Sequence, residues 1–477
     1  MAEKKQAFCS VLRVCWIAVS LYTFGFFPAV FAQEPSREEI LQYALDTEII
    51  GLIQELTEED NRDYTEELSE LFARTNNNAI RENIFRMFSA QEIPVLEDAC
   101  LAVLSDPYDS ASSLVAAAAG YAGKLKLSSA LPALRSMAGS GDYAMASAAV
   151  RAIGEAGGPE EASFLLALMD EELFDEEKQR LVFRQDIMQA VSRLDISGVR
   201  ESLLSIVQDT EENAVIRASA ANAVGTLAIE EDVDTLADLF NESDPILRAA
   251  AVSSLAHFSS AQAQERILEA FRDSYYRVRL AALTAAENAK LSAAVPYIIY
   301  RAKTDPEETV KMRSYEVLGA IGGSEALDFL SGVLQDEKAS DKFRAKAAEV
   351  LLEGHFDSFY PEVEKVALEA VGDEKKRWLC HELGKTLSGI ATGRTSSLAA
   401  RYLDSRDPLT QSLGLDMYEK NGYPALESVV RELAENPSAG AIQRRAAKIL
   451  GTGTDTGETP SAAAGSFPAA GTPAGKE

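Results

Sequence analysis

Apolar and polar residues follow one another along this chain in a pattern that recurs about every 33 positions. Each copy opens with an apolar residue and then a basic one, and apolar or small residues return three, four and seven places later. This spacing puts the apolar residues on one face of an α-helix. The clearest copies begin at Ile216-Arg217, Leu247-Arg248, Val278-Arg279, Val310-Lys311 and Phe343-Arg344. A fixed period of this length predicts helical hairpins that stack to bury their apolar faces.

The basic position of each copy, called the anchor below, can be followed along most of the chain. The anchors are Arg81, Ser112, Ala146, Arg184, Arg217, Arg248, Arg279, Lys311, Arg344, Lys376, Thr410 and Gln443. An apolar residue 19 places after the anchor predicts the second helix of each hairpin. This position holds Cys100, Leu131, Leu165, Leu203, Leu236, Ile267, Ile298, Leu330, Val363 and Val429, and Thr395 breaks the series. The pattern predicts a solenoid of alternating first and second helices over residues 76–450.

Turn-forming residues fall at regular places in this frame. Four Asp-Pro pairs precede anchors, where Asp can cap a helix and Pro can occupy its first turn. They begin at Asp106, Asp244, Asp305 and Asp407. Glycine stands eight residues after four anchors, where we expect the first helix to end. These glycines are Gly154, Gly225, Gly319 and Gly384.

The segments on either side of the repeats have other patterns. Residues 33–75 predict a helical cap that fits the period only loosely, as terminal repeats often do. Within it, Ser36 and Glu39 form a capping box, which predicts the start of a helix. Residues 451–477 are rich in Gly, Ala, Thr, Ser and Pro, and this composition predicts a disordered low-complexity tail.

Residues 1–32 have the pattern of a cleaved secretory signal. Two lysines and an arginine precede an apolar stretch, and Val30 and Ala32 occupy the −3 and −1 positions of a cleavage site. Cleavage would place the protein in the periplasm or outside the cell. An uncleaved anchor formed by residues 14–32 is the alternative, because that stretch is almost long enough to span a membrane.

The repeats resemble the HEAT repeat family, and more closely its short bacterial form. The resemblance is carried by residues 244–252 (Asp-Pro-Ile-Leu-Arg-Ala-Ala-Ala-Val) and 276–283 (Tyr-Arg-Val-Arg-Leu-Ala-Ala-Leu). It implies an all-α, right-handed α-solenoid of about twelve stacked hairpins. Members of this family are mostly scaffolds and adaptors, although HEAT-like repeats also occur in bilin lyases. The resemblance therefore implies a fold, and it implies a function only by analogy.

The net charge of −29 narrows the classes of partner. Nucleic acids and anionic membrane surfaces require clustered Lys and Arg, so we expect no nucleic acid and no direct lipid binding. The charge either keeps the protein soluble or attracts a basic protein partner.

Residues that could carry chemistry are sparse. The three histidines lie at unrelated positions of the frame, so their spacing predicts no metal site, and no motif predicts a cofactor. Cys380 and His381 are adjacent in a helix and point about 100° apart, which predicts a buried thiol and an exposed imidazole. The ladder of Arg anchors predicts pairs with acidic residues of neighbouring repeats, with a basic stripe as the alternative.

One aromatic cluster departs from the apolar stripe and is the candidate binding site. Tyr297, Tyr300 and Arg301 lie beside the stripe of one second helix, and Phe329 takes the position of Tyr297 in the next repeat. Such residues are typical of binding hot spots, although core packing is the commoner role of aromatics at helical spacing.

The sequence thus favours an exported, non-catalytic scaffold or adaptor that binds protein partners in a bacterial cell envelope. A lyase-type or enzyme-associated accessory protein is the alternative that the resemblance offers. A membrane-anchored scaffold is the alternative if the N-terminal segment stays attached.

Overall fold

The computed structural model of the protein describes residues 35–451. All regular structure between these residues is helical, and 25 α-helices follow one another along the chain. This confirms the predicted all-α class. The predicted signal sequence and residues 452–477 of the predicted tail lie outside the described residues. The chain divides after Leu227 into two compact units.

The first unit consists of hairpins whose first helices stack in chain order. Helices α2, α4, α6, α8, α10 and α12 pack on one another in this order. The capping box at Ser36 and Glu39 starts α1, as predicted. The helices are α1 (Arg37–Tyr43), α2 (Asp46–Glu58), α3 (Thr65–Arg74), α4 (Asn78–Ala90), α5 (Glu97–Ser105), α6 (Ser112–Lys124), α7 (Leu131–Ala138), α8 (Tyr143–Ala156), α9 (Pro159–Leu168), α10 (Glu177–Val191), α11 (Arg200–Gln208) and α12 (Ala214–Leu227).

The second unit repeats this arrangement. Its first helices also pack on one another in chain order, and they are α14, α16, α18, α20, α21, α23 and α25. The helices are α13 (Val233–Asp238), α14 (Pro245–Leu255), α15 (Ala261–Ala270), α16 (Tyr276–Asn288), α17 (Val295–Thr304), α18 (Glu308–Ile321), α19 (Ser324–Gln335), α20 (Asp341–Ala370), α21 (Arg377–Ser388), α22 (Ser396–Leu403), α23 (Pro408–Asn421), α24 (Glu427–Glu435) and α25 (Ala441–Ile449).

The predicted frame matches these elements closely. Eleven of the twelve anchors lie within a first helix, and Lys376 is the residue directly before α21. Most residues 19 places after an anchor are buried in the core, as their apolar character predicts. Thr395, the polar exception, is buried too, because its hydroxyl hydrogen-bonds the hydroxyl of Tyr423. A polar residue thus occupies a core position when a neighbouring helix supplies its partner.

The glycines eight residues after an anchor do not end the first helices, so that expectation is wrong. Each lies inside its helix. At Gly154, Gly319 and Gly384, the missing side chain lets the next first helix approach closely. A Cβ at Gly154 would lie 2.7 Å from the Cα of Ala190, and one at Gly319 would collide with Cγ1 of Val350. The glycines therefore serve packing between helices and not helix termination.

Two of the four Asp-Pro pairs cap helices as predicted. A side-chain oxygen of Asp244 accepts from the backbone amide of Ile246, and one of Asp407 accepts from that of Thr410. Asp106 and Asp305 instead follow the last residues of α5 and α17, so the expectation is wrong for them. Their helices begin later than the Asp-Pro pair because extra turn residues intervene.

One hairpin has no loop. Helix α20 continues through the predicted turn with a kink at His355, whose φ of −142° and ψ of 37° are not helical. The imidazole Nε2 of His355 lies 3.4 Å from the carbonyl oxygen of Gly319. Despite its length, neither α20 nor any other helix between residues 35 and 451 is both long and apolar enough to span a membrane.

Candidate functional site

A shallow groove lies between the end of α15 and one face of α17 in the second unit. Its volume is about 410 Å³. It is lined by Phe271, Arg272, Pro296, Tyr297, Tyr300 and Arg301. We call this surface the aromatic groove. Three aromatic rings, one proline and two arginines thus form it, and none of its lining residues is acidic.

The local sequence explains why these side chains share one face of α17. Val295, Ile298 and Ala302 are buried and fix the helix against the core. The spacing of three and four residues between Tyr297, Tyr300 and Arg301 then places these three on an adjoining face. Pro296 fits the first turn of α17, where a backbone N–H has no helical partner.

Each arginine of the groove lies over a tyrosine ring. The guanidinium carbon of Arg272 is 5.5 Å from the centre of the Tyr297 ring, and that of Arg301 is 5.0 Å from the centre of the Tyr300 ring. The rings of Phe271 and Tyr297 are 6.0 Å apart between centres. These distances are those of cation–π and aromatic contacts, which hold the side chains in place.

The residues of the groove differ in exposure. The side chain of Tyr300 is 57% exposed, whereas Tyr297 is half-buried and packs against the core. Arg272 is exposed, and Arg301 is half-buried because it also reaches Asp305 at 3.5 Å. The groove thus presents a solvent-facing tyrosine on a wall that the core supports.

Phe329 does not belong to the groove. It is half-buried on α19, where its ring lies 6.0 Å from that of Tyr315 and below the ammonium of Lys303 at 5.2 Å. The structure therefore brings together Tyr297, Tyr300 and Arg301, and it places the fourth predicted residue in a separate packing contact. Their role in binding stays a prediction.

Sequence reasoning missed Phe271 and Arg272. Phe271 looks like an ordinary core residue in the repeat frame, and it is buried, but it also lines the groove. The charge pattern offered a signal, because residues 261–304 hold seven basic and four acidic side chains in a chain of net charge −29. A basic stretch next to an exposed aromatic pair would have pointed to Arg272.

Two of the Arg anchors, Arg248 and Arg279, form structural bridges between hairpins. Arg248 pairs with Asp273 at 2.7 Å and 3.1 Å, and Arg279 pairs with Asp305 through two bonds of 2.7 Å. Each bond spans 25 or 26 residues and so joins one hairpin to the next. The predicted pairing between repeats is thereby confirmed for these two anchors.

Cys380 and His381 have structural surroundings. Cys380 is buried, as predicted, and burial raises the pKa of its thiol. His381 was expected to be exposed, but it is half-buried because its Nε2 lies 2.7 Å from Oδ2 of Asp407. Cys100 is likewise buried and free, and burial raises the pKa of its thiol to about 12. Between residues 35 and 451, no cluster of three or more His, Cys, Asp or Glu has the arrangement of a metal site.

Comparison with known protein families identifies the repeats. The profile described as "Spirochaete HEAT repeat protein" matches residues 41–449. The chain belongs to this family. No curated protein matches the chain.

Among solved structures, this HEAT repeat protein is similar to karyopherins. A crystal structure of Kap121p shares 11% identity with a TM-score of 0.41, and the match covers 87% of this chain and 53% of that one. A structure of Kap95p with RanGDP shares 12% identity with a TM-score of 0.47, covering 87% and 67% of the two chains. Kap121p bound to Nup53p matches at 12% identity and a TM-score of 0.40, with coverage of 87% and 53%. The chain spans about half the length of Kap121p.

The aromatic groove depends on two successive HEAT repeats. Phe271 and Arg272 follow the second helix of one repeat, and Pro296 to Arg301 lie in the second helix of the next. A single repeat therefore supplies only one wall, and stacking of the two builds the groove.

Proposed function

We propose that this HEAT repeat protein is a non-catalytic scaffold or adaptor, and that the aromatic groove contacts a protein partner. The observation that carries the proposal is Tyr300, a large exposed aromatic residue beside a stacked arginine on a supported wall. Tyrosine and arginine are enriched among residues that dominate binding energy, especially where they sit in preformed depressions. The non-catalytic part rests on the structural roles of Cys380 and His381.

The proposed location is the periplasm or the exterior of the cell. It is supported by the pattern of residues 1–32, with Val30 and Ala32 before the expected cleavage. N-terminal sequencing of the protein from its native cells should begin at Gln33. A sequence that begins at Met1 or Ala2 would instead favour the membrane-anchored scaffold.

Affinity capture from native cell extract tests the scaffold proposal. The bait is the full chain, compared with its Tyr300→Ala variant, and mass spectrometry identifies the proteins retained. We expect at least one protein to be retained by the wild type and to fall about 10-fold or more with the variant, since hot-spot truncations cost about 2 kcal/mol or more.

Tyr108→Ala is the matched control, because Tyr108 is 72% exposed and does not line the groove. This variant should retain the same proteins as the wild type. Thermal unfolding of both variants should match the wild type, since exposed side chains contribute little to stability. Equal capture by the wild type and Tyr300→Ala would refute the groove as the contact.

A further inference from the structure

We propose that the aromatic groove binds an acidic segment of the partner, in which carboxylate side chains flank an aromatic or aliphatic one. This inference rests on the proposed function and adds the chemistry of the bound segment. It differs in sign from the expectation of a basic partner, which the net charge of the whole chain suggests.

The groove is a basic region of an acidic protein. Helices α15 to α17, with the loops between them, span residues 261–304 and carry a net charge of +3 in a chain of −29. Three of the four acidic residues in this stretch are already paired with arginines. Glu269 pairs with Arg266, Asp273 with Arg248, and Glu287 with Arg313. An incoming carboxylate therefore meets unneutralised positive charge at this place.

The two arginines of the groove keep donors free for a ligand. Arg272 lies over Tyr297, and it has no carboxylate partner among residues 35–451. Arg301 makes a long contact of 3.5 Å to Asp305, whose two oxygens already accept from Arg279 at 2.7 Å. A guanidinium that stacks on a ring keeps its N–H edge free for the paired bonds that a carboxylate accepts.

The apolar walls select what accompanies the carboxylate. Pro296 and Tyr300 are exposed and offer apolar surface in the groove beside the arginines, whereas Phe271 is buried. The volume of about 410 Å³ falls within the range of pockets for small-molecule ligands, about 300–1,000 Å³, and so has room for a peptide side chain. A free anion would leave this surface in water, whereas a peptide with an aromatic or aliphatic side chain would cover it.

Peptide binding tests the inference directly. The probe is the amidated peptide Gly-Glu-Phe-Glu-Leu-Glu-Gly with an N-terminal tetramethylrhodamine, and its fluorescence anisotropy is followed as the full-length protein is added. Versions with Gln or Lys in place of Glu keep the apolar residues and change only the charge. We expect the Glu peptide to bind about 10-fold tighter than the Gln peptide, and the Lys peptide to bind weakest.

Arginine variants locate the interaction. Arg272→Gln should lower the affinity for the Glu peptide about 10-fold and leave the affinity for the Gln peptide almost unchanged. Arg394→Gln is the matched control, because Arg394 also stacks on aromatic rings, those of Phe356 and Tyr360, but lies outside the groove. It should bind both peptides like the wild type. Circular dichroism should show that both variants keep the helical content of the wild type.

Three results would overturn the inference. The first is tighter binding of the Lys peptide, and the second is an affinity for the Glu peptide that Arg272→Gln leaves unchanged. The third is no peptide binding up to about 1 mM together with Arg272-dependent binding to phosphatidylglycerol vesicles, which would assign the groove to an anionic membrane surface. Capture keeps the two proposals separate: a protein lost with Tyr300→Ala but kept with Arg272→Gln would support the scaffold and refute the acidic segment.

Discussion

The central and C-terminal hairpins of the second unit are tied together by different chemistry. In the central hairpins, Arg279 and Asp305 are 4% and 0% exposed, and they form a charged bridge from one hairpin to the next. At the equivalent anchor of a C-terminal hairpin, Lys376 is half-buried and pairs with Glu337, which is 72% exposed. There a neutral link is buried: the hydroxyls of Thr395 and Tyr423 hydrogen-bond from one hairpin to the next. Within the first of these hairpins, the hydroxyl of Tyr402 donates to the carbonyl of Cys380 at 2.8 Å.

The difference shows what an arginine anchor does. Besides its two bonds to Asp305, Arg279 donates through Nη1 to the carbonyls of Asp273 and Ser274 at 2.9 Å and 3.1 Å. The side chain of Arg279 thus binds both the loop before α16 and the loop after α17. A lysine has no planar fork of donors to do this, so hairpins without an arginine need other links.

Asp305→Ala should have the largest effect, because it leaves Arg279 buried without its carboxylate. Breaking a buried ion pair from one side costs about 3–5 kcal/mol. Denaturant unfolding followed by circular dichroism should show a clearly lower midpoint. The double variant Arg279→Met with Asp305→Leu should recover part of the loss, since the uncompensated charge is gone. A single variant that unfolds like the wild type would show that the bridge does not contribute to stability.

Acid should weaken the Arg–Asp bridges of the central hairpins, whereas the neutral hydrogen bonds of the C-terminal hairpins contain no group that titrates in acid. Burial raises the pKa of Asp273, but hydrogen bonds from Arg248 and from the amide of Tyr275 outweigh it, and the pKa lies below its ordinary value. Because the folded pKa lies below the unfolded one, Asp273 stabilises the fold above about pH 4. That contribution, of order 1.5–3 kcal/mol for hydrogen bonds to a charged group, is lost as the pH falls through the folded pKa.

Asp273→Asn provides the comparison for this prediction. The difference in unfolding midpoint between wild type and variant should be largest near neutral pH and should shrink as the pH falls below about 4. A difference that stays constant down to acid denaturation would contradict the assigned cause, since other carboxylates titrate in both proteins alike.

Much of the fold was predictable because the repeat displays its own periodicity. The anchors located the first helices, and the positions 19 residues later located the second helices. Both could be found because a helix that buries one face shows regularly spaced apolar residues in its own sequence. The role of the glycines could not be predicted, because it depends on residues of a neighbouring helix that pack against them. Ala190 packs against Gly154, and Val350 packs against Gly319. The kink at His355 was not predicted either, because Gly354 directly before it fits an ordinary loop equally well.

The candidate site was predictable in part. The spacing of Tyr297, Tyr300 and Arg301 depends on one helix and was visible in the sequence. Phe271 and Arg272 come from the preceding repeat, and the separate position of Phe329 depends on how α19 packs against Tyr315. To predict which residues meet across repeats, one must know how the repeats stack, and the repeat period gives this geometry only approximately.

Tyr402→Phe should have a smaller effect than loss of the charged bridge. It removes one neutral hydrogen bond to the carbonyl of Cys380 and keeps the buried ring. A neutral hydrogen bond contributes about 1 kcal/mol. Fluorescence of Trp378, which lies in the adjoining helix α21, should follow the unfolding of this region. A loss as large as that of Asp305→Ala would mean that neutral and charged links are equally strong here.

Lys376→Ala should have the smallest effect. The ammonium of Lys376 lies 3.0 Å from a carboxylate oxygen of Glu337, and this contact holds the pKa of Glu337 below its ordinary value. Glu337 is solvated, however, so the attraction is screened by water and salt and contributes little to stability. The unfolding midpoint followed by Trp378 should therefore move little, and the small difference should vanish at high salt. A fall comparable to that of Asp305→Ala, persisting in salt, would mean that Lys376 and its solvated partner anchor their hairpin as firmly as a buried arginine does, and the contrast between the two regions would be wrong.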